Sequence, residues 1–365
     1  MSRVHLGDVA IEHKETCKED KSMYPIVGLE HLTPEQITLQ NWDLNTENTF
    51  TKVFRKGNIL FGRRRAYLKK AAVAPFDGIC SGDITVIEAK EDKIIPELLP
   101  FVIQNDDLFD FAVGKSAGSL SPRVKWTHLQ NYEFELPDKQ KQHELAKVLW
   151  AIEDTRKSYQ QLIKRTDELV KSQFIELFGT ETNHPEDVKY VRLGELASYI
   201  NGYAFKPDDW SLTGLPIVRI QNLTGTNEEF NYYDGEYPSQ VEINNGDVLI
   251  SWSASLGVYL WNGGKAILNQ HIFKVDFNKL PVNKAYFMVA VSQKLAEMVD
   301  KTHGATMKHI VKKDFDNTLV AYPKEEDQHR FAEFVEQSDK SKFGKEMCDK
   351  WILKIKNLCC PMYLT

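Results

Sequence analysis

Three side chains with catalytic spacing stand in the stretch GDITVIEAK: Asp83, Glu88 and Lys90. Two carboxylates, with a lysine two residues beyond the second, can hold a divalent cation beside a phosphate, as metal-dependent nucleases do. Cations form a second chemical class. Arg55 to Lys70 carries seven lysines or arginines and no acid. Arg63, Arg64, Arg65, Tyr67 and Lys69 within it follow the apolar run NILFG, and a guanidinium can grip phosphate or take a guanine edge with two hydrogen bonds. Lys115, Ser116, Ser119, Ser121, Arg123 and Lys125 surround Gly118, while Lys301, His303, Thr306, Lys308 and His309 surround Gly304, again without acids. Such glycine loops with hydroxyls and cations suit phosphate positioning. Trp252, Ser253, Ser255 and Tyr259 form an uncharged polar-aromatic group, and Asn269, Gln270 and His271 add groups suited to pairing with adenine.

The elements that must position these residues come in two copies. VHLGDVA at Val4 recurs as VRLGELA at Val191, and YPIVGLEHL at Tyr24 as LPIVRIQNL at Leu215. KGNILFGRRRA matches NGDVLISWSAS around Gly57 and Gly246, and GKSAGSLSPRV matches DKTHGATMKHI around Gly118 and Gly304. LPDKQKQHELAKVL at Leu136 returns as YPKEEDQHRFAEFV at Tyr322. Five anchors in one order, at offsets of 186 to 191 residues, describe two copies of a whole domain rather than a short solenoid repeat. The length of 365 residues suits two domains. The nuclease-like set is not duplicated: its counterparts are His271, Asp276 and Asn278. Alternating polar residues of this kind read as the solvated face of a strand.

Within each copy the texture changes. ITVIEA (84–89) and DVLISW (247–252) read as strands, and the run from Pro96 to Val113 as helix. Beyond Pro137, Leu145, Val148, Ile152, Thr155, Tyr159, Leu162, Thr166 and Leu169 alternate spacings of three and four. This predicts one helix from Gln140 to Phe178, roughly 60 Å long, with a coiled-coil seam. The second copy begins a similar helix at Phe331 and Phe334, loosens near Gly344, and resumes at Ile352 and Ile355 before Pro361. Two exposed seams are best buried against each other, antiparallel. The expected architecture is therefore α+β: two similar mixed α/β domains held apart by two long antiparallel coiled-coil helices in a pseudo-twofold repeat. The boundaries fall at 1–137 for the first domain, 138–179 for its helix, 180–190 for a linker, 191–323 for the second domain and 324–360 for its helix.

Composition limits the function classes. Apolar residues make up 42% and charged residues 27%, globular values, and 46 basic against 52 acidic residues give a net charge of −6. The charges are segregated, so binding to nucleic acid depends on where they sit rather than on their sum. No G-x-x-x-x-G-K-[ST], G-x-G-x-x-G or H-E-x-x-H is present. The apolar run AYFMVAV (285–291) is far short of the ~20 residues a membrane span needs. The N-terminal residues contain no apolar signal core, and five cysteines without C-x-x-C spacing favour neither disulfides nor zinc. A cytoplasmic chain is expected.

The ordered, duplicated set of motifs resembles the DNA-specificity (S) subunit of Type I restriction–modification enzymes over essentially the whole chain. The motifs are V-x-L-G-[DE]-[LV]-A, P-I-V-x-[LI]-x-[NH]-L, G-[ND]-[IV]-L, G-[AS]-x-x-x-x-[IV] and P-x-x-x-x-Q-H. The resemblance implies that each mixed domain is a target-recognition domain reading one half of a gapped, bipartite site in double-stranded DNA. It implies helices that set the gap, and two methyltransferase subunits docked on the spacer. It implies a chain that is not itself catalytic, with S-adenosylmethionine, ATP and magnesium belonging to the methyltransferase and restriction subunits. Two readings from other classes stand beside it: a metal-dependent DNA endonuclease using Asp83, Glu88 and Lys90, and a tandem adaptor that binds no DNA.

Overall fold

The computed structural model describes residues 2–338 apart from 19, 20, 22, 119, 228 and 302–309, with the backbone alone at 300 and 301. The described chain forms two compact units, one within Met1–Tyr159 and one beginning at Gln160.

In the first unit, Ala10–Glu12, Ile84–Ala89, Ile59–Gly62 and Ala71–Val73 form a four-stranded antiparallel sheet in that order. A second sheet orders Ile26–Val27, Gly78–Cys80 and Lys52–Phe54, the first pair parallel. Ser2–His5 pairs antiparallel with Glu133–Leu136, closing the domain across its ends in sequence. The strand Ile84–Ala89 is buried through its first four residues, as its unbroken apolar run dictates. Phe61 stacks on Phe109 at 5.5 Å in a core shared with Leu6, Ile59, Ile87 and Phe101.

The second unit repeats this wiring. Ser198–Asn201, Ile272–Asp276, Val248–Ser251 and Gly257–Leu260 form its four-stranded sheet. Leu215–Val218, Ala266–Leu268 and Glu242–Ile243 form its second sheet, to which Asn231–Tyr233 adds a strand. Lys189–Arg192 pairs with Leu319–Tyr322. The duplication read from motifs is thus a duplication of strand order.

One expected helix is two. Leu99–Ile103 stops and Asp106–Gly114 begins anew, because the Asn105 side chain accepts a hydrogen bond from Asp107 N at 2.8 Å and caps the second helix. The second unit instead has one helix, Lys284–Lys301, at the matching place.

The long helix runs unbroken from Lys139 to Phe178. Gly179, at φ +72°, ends it in the left-handed conformation that glycine adopts without a Cβ penalty, its N–H donating to Ile175 O at 2.8 Å. Its buried stripe lies beside the expected seam. Gln142, Ala146, Leu149 and Glu153 are buried in the first unit, and Val170, Phe174 and Phe178 join Tyr286 and Phe331 in the second. Of the seam residues, Leu145, Ile152 and Tyr159 are half-buried, while Val148, Leu162 and Leu169 are 41%, 47% and 52% exposed. Phe331 and Phe334, on the helix 325–338, pack into the second unit's own core. Ile352 and Ile355 lie outside the described residues.

The P-x-x-x-x-Q-H motif has a structural explanation. Gln142 Oε1 accepts from Ile95 N at 2.9 Å while its Nε2 donates to Pro137 O at 2.8 Å. Gln328 does the same with Asn283 N and Pro323 O, both at 3.0 Å. Both amides are at least 98% buried, so each glutamine, bonded through both its oxygen and its nitrogen, fastens the start of a helix to the domain before it.

Candidate nucleic-acid interface

The first unit brings two distant basic stretches together. Arg63, Arg64 and Arg65 follow the strand Ile59–Gly62, and Ala117 and Arg123 are joined by paired backbone hydrogen bonds at 2.9 and 3.1 Å. The two segments are then joined: Arg65 N donates to Pro122 O at 2.8 Å, and Val124 N to Arg63 O at 3.0 Å. Arg64 Nη2 donates to Ser121 Oγ at 3.0 Å. Arg65 and Lys69 hold left-handed backbone angles of φ +53° and +50°, either side of the short turn Ala66–Leu68.

Asp83 organises this cluster. Its carboxylate accepts from Arg123 Nε at 2.6 Å and Nη2 at 3.1 Å, with Arg64 Nη1 at 3.5 Å. The Arg123 guanidinium, with Arg64 behind it, holds the Asp83 carboxyl below the usual carboxylate range against the opposing cost of its burial. A planar two-point pair of this kind fixes where Arg123 points. The nuclease-like set is consequently not assembled. Asp83 serves the arginines, Glu88 Oε2 lies 2.7 Å from His13 Nδ1, and Lys90 Nζ donates to Gly7 O at 2.6 Å. Among the described residues no three acids, histidines or cysteines are grouped to hold a metal.

The remaining first-unit candidates divide. Tyr67, Lys115 and Lys125 are exposed, Lys115 lying 5.7 Å over the Phe111 ring. Lys69 pairs with Asp106, which raises its pKa. Ser116 is engaged inside the fold, its hydroxyl donating to Ala112 O at 2.7 Å. GKSAG (114–118) spells the G-x-S-x-G of a hydrolase elbow, but it sits at the end of the helix Asp106–Gly114 rather than between a strand and a helix. Ser119 lies outside the described residues.

The second unit builds the same frame with other side chains. Trp252 stands where Arg63 does: its N–H donates to His271 O at 3.1 Å as Arg63 N does to Asp83 O at 3.0 Å, and Ile310 N reaches Trp252 O at 3.0 Å as Val124 N reaches Arg63 O. Trp252 itself stacks on Phe273 at 5.5 Å and donates from Nε1 to Asn201 Oδ1 at 3.2 Å. Tyr259 is packed against the core from the strand Gly257–Leu260. Ser253 is half-buried, and Ser255, which is exposed, accepts on its carbonyl from Ser251 Oγ. Lys301 ends the helix Lys284–Lys301, whereas His303, Thr306, Lys308 and His309 lie outside the described residues.

Asn269, Gln270 and His271 line a cleft of about 420 Å³ with Ser255, Ala254, Trp210, Arg219 and Gln221. Arg219 lies over the Trp210 ring at 5.4 Å and donates to Asn231 Oδ1 at 3.3 Å. Sequence reasoning passed over both Arg219 and Trp210. The available signal was that Arg219 directly follows the repeated P-I-V, where the first copy has Gly28. The matching place in the first unit is a smaller cleft of about 240 Å³ with Leu29, Glu30, Arg64 and Arg65 in its wall.

No helix among the described residues is long and apolar enough to cross a membrane. The chain is similar to the EcoBI specificity subunit of a Type I restriction enzyme from Escherichia coli, with 26% identity over 145 residues, 39% of this chain but 30% of that protein. It is similar to the putative MjaX specificity subunit of Methanocaldococcus jannaschii at 21% identity, covering 93% of this chain and 87% of the relative. The S subunit of a Type I restriction–modification system from M. genitalium has the same fold, with a TM-score of 0.56 over 99% of this chain and 96% of that one, at 12% identity. The model of the Type I restriction modification DNA specificity domain matches twice, at residues 3–165 and 185–346. With two such domains spanning most of its length, the chain belongs to the family of Type I restriction–modification DNA specificity subunits.

Proposed function

We propose that this chain is the sequence-recognition subunit of a Type I restriction–modification complex and performs no covalent chemistry of its own. Its target-recognition domains, 1–137 and 191–323, each read one half of a gapped site in double-stranded DNA. The helices at 138–179 and 324–360 pair as an antiparallel spacer, set the gap and dock two methyltransferase subunits. S-adenosylmethionine belongs to those subunits, and ATP and magnesium to the restriction subunits that join them in the cytoplasm. One observation carries this reading: a single framework appears twice, with Arg64, Arg65 and Arg123 on one copy and Arg219, Asn269 and His271 on the other. One scaffold bearing two different surfaces is what an asymmetric bipartite site requires. Arginine supplies phosphate contact and guanine recognition, and side-chain amides pair with adenine. Two weak half-site contacts on one body add through effective concentration.

Because the net charge is −6, the isolated chain is expected to bind duplex DNA weakly and with steep salt dependence, and far more tightly with its methyltransferase. Electrophoretic titration with and without the partner measures this; equal affinities would count against the proposal. Sequencing host DNA for methylated adenines, with and without the gene, then gives the bipartite site.

A further inference from the structure

Resting on that reading, we propose that Asn269 and His271 form a base-reading subsite in the second domain, selective for a base that presents an exocyclic amino group, adenine or cytosine. Asn269 Oδ1 and His271 Nδ1 are buried atoms without a hydrogen-bond partner. Buried polar atoms in folded proteins are nearly always paired, so two unpaired ones lining one cleft call for a partner, and a bound ligand can be that partner. Both residues line the cleft; turning about their terminal torsions would present these atoms to a base entering it.

The framework itself does not create the vacancy. His271 occupies the position of Asp83, and in the first unit that position is closed by the ion pair with Arg123 and Arg64. Among the described residues the second unit leaves His271 Nδ1 without a hydrogen-bond partner at this position, while in the first unit the neighbouring unpaired atom is the donor Arg63 Nε rather than an acceptor.

The turn is nevertheless rigid. Asn269 N donates to Val218 O at 3.0 Å, Gln270 N to Tyr203 O at 2.8 Å, and the His271 carbonyl accepts from Trp252 N. The Trp252 ring meets the His271 ring edge-on at 4.9 Å. With the backbone so engaged, the side chains are what remain to be read. Arg219, held over Trp210 at the same cleft, is placed to neutralise a phosphate and hold the duplex in register.

The chemistry selects the base. Oδ1 is an acceptor, and His271 Nδ1 is one when the ring proton sits on Nε2. Two acceptors favour the amino groups of adenine or cytosine. They oppose guanine and thymine, whose major-groove hydrogen-bonding edges present acceptors alone.

The test uses the full chain assembled with its methyltransferase, reading the methylated-adenine motif by sequencing and the affinity for a panel of duplexes differing at single half-site positions. His271→Gly suits the turn, because glycine adopts the φ of +74° found there without a Cβ penalty, and it removes the ring acceptor. Asn269→Leu removes the acceptor at similar size. Each variant should relax one amino-bearing position of one half-site by ten- to a hundredfold and leave the other half-site unchanged. An unchanged motif, or an equal loss across all sequences, would overturn the proposal. Should Asn269→Leu fail to assemble, Asn269→Asp keeps the shape and offers acceptors alone; it must sharpen the preference for the amino-bearing base, and loss of that preference refutes the subsite. If the wild-type complex methylates no bipartite site, the specificity-subunit reading fails independently of the cleft.

Discussion

Replacing Gln142 with alanine tests the view that one buried amide holds the long helix to the first domain. The side chain is 2% exposed and makes two hydrogen bonds, at 2.9 and 2.8 Å, to backbone groups of Ile95 and Pro137. Gln142→Ala leaves both groups buried and unpaired. At roughly 1 to 3 kcal/mol for each orphaned group, the loss should be about 3 kcal/mol. For a unit of this size that corresponds to a fall in Tm of roughly 6 to 12 °C. Calorimetry of the full chain measures it, with Gln328→Ala as the matching change in the second unit. Gln142→Met separates bonding from packing, since it restores volume without the donor or the amide acceptor and should recover less than half of the loss. A Gln142→Ala cost below about 0.5 kcal/mol, or a Gln142→Met protein as stable as wild type, would refute the reasoning.

Three further outcomes follow from the geometry. The Arg123–Asp83 pair lowers the Asp83 pKa, so its contribution is fully present above the unfolded value near 3.9 and is lost as pH falls through the lower folded value. Because both arginines are partly exposed, the Asp83→Asn penalty should be about 1 kcal/mol at pH 7 in chemical denaturation; a penalty that persisted below pH 2 would contradict the pairing. Arg65→Gly removes an exposed cation while keeping its left-handed backbone, and should lower the slope of log affinity against log salt by about one in the assembled complex; an unchanged slope would place Arg65 off the DNA. Cys80 is fully buried and its thiol is pushed up to about 12 by burial, so iodoacetamide at pH 8 should leave it unlabelled until the first domain unfolds, as peptide mass mapping would show.

Much of the fold was legible because repetition and periodicity survive divergence. The anchors at Val4, Tyr24 and Gly57 lie on or beside strands whose counterparts hold the same sheet positions. The helix Lys139–Phe178 begins one residue from its expected start, since nothing in that run breaks it before Gly179. The break at Asn105 was hidden by apolar spacing that continued across it; the cap is a local side-chain bond that a periodicity cannot see. The face the helix buries was missed for a related reason: Gln142 and Glu153 are polar, so a search for apolar residues shifts the stripe. At the candidate site, composition located the arginines but not Asp83 as their organiser, because that pairing joins residues 40 positions apart. Arg219 and Trp210 escaped notice because neither belongs to a cation run, and their significance depends on the cleft they share with Asn269.

The left-handed angles at Arg65 and Ala254, φ +53° and +58°, occupy matching places after corresponding strands. Neither residue is the glycine that such a conformation favours, so the bend is imposed by its surroundings rather than chosen by the residue that makes it. Side-chain identity and main-chain path are thereby uncoupled at this corner. A long cation and a bare methyl group stand there on the same contour, so one main-chain path carries unrelated side chains in the two units.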